Sequence, residues 1–258
     1  MLAFMRHQAA QWLCGLALCV FSSIAAAEHW QLYTEDNPPL SNDVSGQAVG
    51  FAPALLREMT QQLGLSAQIR LFPWARAMHA AQQREHSALF VTIRTEEREH
   101  LFKWVGPIVS VGVGFYALKS NQLQINSAQE LATLPSIGTI RAWFNYDDIQ
   151  AMPLDNIVSV STPQQLFRLL QHGRVSVITA DELNTNSPPI AGMAWAQLEQ
   201  VYPLGQVQGY IALHINTPDA EVERWQNALD SLKSNGRLLE LHRQWLPGIP
   251  SSMIHDAQ

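Results

Sequence analysis

The run Val91-Thr92-Ile93-Arg94-Thr95-Glu96-Glu97-Arg98-Glu99-His100-Leu101-Phe102-Lys103-Trp104-Val105-Gly106-Pro107 carries the strongest signal for the fold. It begins as an apolar, β-branched strand and passes two arginines four residues apart. A short helix is expected to open at Thr95, with acidic residues in its first turn, and an aromatic-Gly-Pro turn ends the unit. Open α/β sheets place ligand sites at the carboxyl ends of their strands, where backbone N–H groups and the helix dipole favour a negative group. Arg98 therefore has two readings: a guanidinium that receives an anion, or a surface partner for a nearby glutamate.

Upstream the pattern is strand, helix, strand, helix. Residues 28–33 alternate apolar and polar, and the rigid turn Thr34-Glu35-Asp36-Asn37-Pro38-Pro39 follows. Gly50 opens a helix whose Phe51, Leu55, Met59 and Leu63 recur every four residues, with Gly64 as its stop. Residues 67–72 form a second strand, and Pro73 starts a second helix that sets Trp74 at the strand's end, as packing or as the apolar wall of a pocket. Such alternation predicts a parallel sheet covered on both faces.

Downstream, the apolar run 109–118 breaks at Lys119-Ser120-Asn121, where the chain is expected to cross into a second lobe. The plan then repeats in kind. Capping boxes stand at Ser127 to Glu130 and Thr162 to Gln165, and strands are expected over 136–140 and 175–179. The second strand ends on Ala180-Asp181-Glu182. Carboxylates at the end of an apolar strand need a partner: a helix N-terminus, water, or a ligand ammonium. A strand over 209–215 returns the chain, and two helices follow, closing at Trp245 and Pro247.

The first 27 residues stand apart. Arg6 and His7 precede an apolar run from Trp12 to Ile24, and Ala25-Ala26-Ala27 supplies a cleavage site, so residues 1–27 read as a secretory signal peptide. Both cysteines, Cys14 and Cys19, lie inside it, which leaves a mature chain with no disulfide that must be held by core burial. The 16 basic and 22 acidic residues give −6, and losing Arg6 makes the mature net charge −7. No basic patch marks a nucleic-acid partner. The nine histidines are scattered, and neither a metal site nor a cofactor motif is expected.

The chain resembles the bacterial family 3 extracellular solute-binding proteins. The resemblance is carried by Asn37-Pro38-Pro39, Gly50-Phe51, Thr95-Glu96-Glu97-Arg98, Gly173-Arg174 through Asp181, and Asn235-Gly236 to Trp245. It implies an α/β, type II periplasmic-binding-protein-like fold with a ligand cleft between two lobes: residues 28–117 with 214–258, and residues 118–213. It also implies that Arg98 takes a ligand carboxylate, that Asp181 on the facing lobe takes an ammonium, and that Trp74 covers the ligand. Thr95, Thr92, Arg94, Glu35 and Trp143 complete the candidate set. The sequence departs from the family pattern where Ile93 replaces a serine or threonine, where Arg94 is added, and where Arg141-Ala142-Trp143 replaces a glycine-led turn.

The function implied is that of a monomeric periplasmic receptor. It would pass a small polar ligand, an amino acid or related carboxylate, to an inner-membrane ABC permease. Two alternatives share the scaffold: a sensor-type binding protein without a transporter, and a prephenate- or arogenate-dehydratase-like enzyme with Glu35 or Glu182 as general acid.

Overall fold

The structure is a computed structural model that describes residues 29–141, 152–183, 192, 194–247, 249 and 251. The expected signal peptide and Trp143 lie outside the described residues. Two α/β lobes share one eight-stranded sheet, in the order β4-β1-β5-β10-β6-β9-β7-β8. The first-lobe strands β1 (His29–Thr34), β4 (Ser66–Leu71) and β5 (Ser87–Ile93) run parallel. So do the second-lobe strands β7 (Ile137–Ile140), β8 (Ile157–Val160) and β9 (Val177–Asp181). Between them lie two 17-residue strands, β6 (Phe102–Leu118) and β10 (Leu198–His214), each antiparallel to its neighbours. The sheet is therefore mixed rather than parallel.

The Gly106-Pro107 turn does not stop the chain as expected: β6 runs through it. Proline has no N–H to give, so the ladder to β10 skips from Val105↔Ile211 to Val109↔Gly209, leaving Tyr210 opposite the gap. Gly106 adopts φ 145°, and a Cβ there would lie 2.8 Å from the Tyr210 ring. The helix expected at Thr95 is likewise only a turn, in which the Arg98 N–H donates to the Thr95 carbonyl at 3.1 Å, and a 3-10 turn follows over Glu99–Leu101. A hairpin of β2 (Asn42–Val44) and β3 (Gln47–Val49), turning on Ser45 and Gly46 at positive φ, was not foreseen.

Helices follow the spacing of their apolar residues. α1 (Phe51–Leu63) buries Phe51, Leu55 and Met59 and stops on Gly64 at φ 69°. α2 (Trp74–Gln83) buries Trp74, Ala77 and Ala81. In the second lobe the capping box expected before the short α3 (Ala128–Leu131) does not form: the Ser127 side chain caps no N–H of the helix, and Glu130 instead accepts from the Asn126 N–H and the Ser127 hydroxyl. α4 (Pro163–Gln171) is capped by Thr162 Oγ1, which accepts from Gln165 N–H, while Gln165 Oε1 accepts from Ser161 N–H. α5 (Asp219–Ser234) and α6 (Arg237–Trp245) return to the first lobe and pack Trp225, Leu229, Leu238 and Leu241 with α1 over Trp30 and Leu32. A second core runs under both α2 and α4, and a third lies beneath α3.

Candidate ligand-binding site

Four side chains meet in one cavity, and each stands just beyond, or at, the carboxyl end of a strand: Glu35 after β1, Trp74 after β4, Arg98 after β5, and Asp181 closing β9. The cavity is small, about 40 Å³, and partly open to solvent. Its remaining walls are Asn37, Leu40, Val91, Ile93, Val109, Val111 and Leu183. Each charged member is shielded: Arg98 is 4%, Asp181 7% and Glu35 9% exposed.

Local structure fixes the geometry. The Arg98 Nη1 donates to the Ile93 carbonyl at 3.3 Å, which ties the guanidinium to the strand it follows, and its centre lies 5.5 Å from the Trp74 ring. Asp181 Oδ1 accepts from the Leu183 N–H at 3.1 Å, orienting the carboxylate at the strand end. Burial, followed by the negative charges of Asp181 and Glu182, holds the Tyr116 phenol well above its ordinary range. The turn after β1 is braced by Asn37 and Ser41, whose backbones bond each other in both directions. Across the cleft, Gln164 Nε2 on α4 donates to Asp36 Oδ2 at 2.6 Å, a direct bond between the lobes.

The other candidates lie elsewhere. Thr92 is fully buried between Val91 and Ile93, both cavity residues. Strand alternation turns it to the opposite face, where its hydroxyl donates to the Leu89 carbonyl at 3.0 Å. Arg94 and Thr95 line an adjoining, more open groove of about 390 Å³ with Ser110, Gln206, Gln208 and Tyr210, which shares the Ile93 wall with the cavity. Arg94 holds Glu99 through two 2.6 Å bonds. That hydrogen bonding raises the arginine pKa and lowers the glutamate's. Its partner is thus Glu99.

The apolar walls escaped sequence reasoning, because a strand residue facing a cavity reads the same as one facing a core. Gly209 escaped too. It lies between Ile93 and Val109 in the sheet, and a Cβ there would collide with Val91 and come within 2.7 Å of Val109, so only glycine leaves those cavity walls in place.

Charged and aromatic side chains from two lobes thus line one small cavity. Residues 32–248 match the bacterial extracellular solute-binding proteins, family 3, and the chain belongs to that family. None of the curated proteins compared with the chain matches it. Similar solved structures include a histidine kinase sensor domain with similarity to periplasmic binding proteins (TM-score 0.75, 17% identity, covering 85% of this chain and 96% of that one). A mutant of ArgBP from T. maritima is similar at TM-score 0.74 and 18% identity, covering 86% and 96%. The ancestral amino acid-binding protein AncCDT-1, a precursor of cyclohexadienyl dehydratase, is similar at 0.72 and 19%, covering 84% and 95%. At these identities the likeness is one of fold.

Proposed function

We propose that the protein is a non-catalytic periplasmic receptor that closes over a small polar ligand, an amino acid or related carboxylate, and delivers it to an inner-membrane ABC permease. The observation that carries this reading is the small cavity in which a buried guanidinium from one lobe and a buried carboxylate from the other line the same space. A guanidinium matches a carboxylate in two parallel hydrogen bonds, and Asp181 provides a counterpart for an ammonium. Ligand held by both lobes favours the closed form over the open one, which is the difference a transporter can read.

A thermal-shift screen of protein purified from the periplasm after export tests this reading. Amino acids or small carboxylates should raise the melting temperature, since a ligand that binds the folded state alone stabilises it. Sugars alone raising it would contradict the reading. The sensor-domain likeness supports a variant in which the closed form signals rather than transports. An enzymatic variant rests on Glu35, a buried acid facing the cavity. Incubation with prephenate or arogenate should leave both unchanged, and Glu35-dependent release of an aromatic product would establish the enzyme instead.

A further inference from the structure

Glu182 follows Asp181 in the chain but serves the other side of the sheet. Asp181 and Leu183 both line the cavity, and strand alternation sends the side chain between them to the opposite face, away from where a general acid would have to stand. There Glu182 Oε1 accepts from the Gly112 N–H at 2.7 Å. The carboxylate lies against that glycine: a Cβ on Gly112 would stand 3.1 Å from the carboxylate carbon, tighter than ordinary contact.

This bond falls at the narrowest part of the molecule. On the first-lobe side β5 joins β10 at Gly209, which faces Ile93. On the second-lobe side β9 joins β6 at Val113, which faces Asp181. Over residues 110–112 and 206–208 the two long strands therefore pair, among the described residues, only with each other. A two-stranded ribbon twists more than a wider sheet and is less stable, so rotation of one lobe against the other is taken up in this neck. Glu182 reaches into it from the second lobe, one residue beyond the last rung of β9, and gives Gly112 the acceptor that a longer strand would have supplied.

Resting on the reading that the two lobes close over a ligand, we infer that Glu182 is the positioning residue of this neck. Its carboxylate, seated on Gly112, confines bending to Ser110 and Val111 on β6 and so holds Asp181 at the wall it shares with Arg98. Gly112 is the matching requirement, because a side chain there would press the carboxylate off its seat. Together the two set how far the lobes part in the empty protein, and with it the share of molecules ready to close.

Pulsed electron paramagnetic resonance on the empty exported protein tests this. Both cysteines lie within residues 1–27, so spin labels are carried by Val44→Cys in the first lobe and Val158→Cys in the second, both at exposed positions. Glu182→Ala should shift the balance from the wild-type distance toward longer ones by roughly 10-fold, the loss of one hydrogen bond to a carboxylate. Gly112→Ala should do the same, whereas Glu182→Gln, whose amide oxygen still accepts, should keep the wild-type distances. Unchanged distances in Glu182→Ala, whatever its melting temperature, would make the residue merely structural and overturn the inference. An equal shift in Glu182→Gln would overturn it too, as would a shift in Glu182→Ala that Gly112→Ala does not share. Should either alanine variant not fold, the other decides. None of these outcomes touches the receptor reading, which is decided by the thermal-shift screen of the wild type.

Discussion

Arg94 and Arg98 lie four residues apart, yet they face different solvents. Arg98 is buried beside Trp74 in a small cavity with two carboxylates, whereas Arg94 lies in a more open groove, held by Glu99 and near the rings of Trp104 and Tyr210. An exposed ion pair exchanges strong hydration for a modest attraction and contributes little. A buried guanidinium has given up its hydration and must be compensated by its surroundings, which makes it sensitive to any charge that enters. Function is therefore expected to follow Arg98 and to ignore Arg94.

Removing the buried member should have the largest effect. Arg98→Ala is expected to cost about 2–5 kcal/mol of ligand affinity, measured by calorimetry, because it removes one side of a desolvated pair. If the variant instead loses mainly stability when empty, the residue is structural. Asp181→Asn comes next, at about 1.5–3 kcal/mol for ligands with an ammonium and much less for simple carboxylates. Equal weakening of both classes would deny it an ammonium partner. Gln164→Ala breaks the bond to Asp36 that links the lobes and should lower affinity by about 0.5–1.5 kcal/mol through the open–closed balance, with the melting temperature of the empty protein little changed. Smallest is Arg94→Ala, where affinity and stability should both stay within about 0.5 kcal/mol of the wild type in binding and melting measurements.

The same pair shows what a sequence can and cannot carry. Local signals were legible: the four-residue spacing of Phe51, Leu55 and Met59, the caps at Gly64 and Thr162, and the placement of Glu35, Trp74, Arg98 and Asp181 at strand ends. Facing was not. Thr92 and Ile93 are adjacent and alternate across β5, so choosing between them requires knowing which face covers the cavity. Arg94 could not be assigned to Glu99 without knowing that the chain turns back between them. The antiparallel entry of β10 between β5 and β6, which makes the sheet mixed, depends on pairing residues 80 to 125 positions apart. The β2–β3 hairpin was hidden because its strands are three residues long and its turn is Ser-Gly rather than Asn-Gly.

A crystal structure of the protein grown with the ligand that most raises its melting temperature tests the central claim most directly. The expected result is a solute between the lobes, with its carboxylate on the Arg98 guanidinium and its ammonium on Asp181. A solute seated in the open groove beside Arg94, with the cavity at Arg98 unchanged, would contradict it.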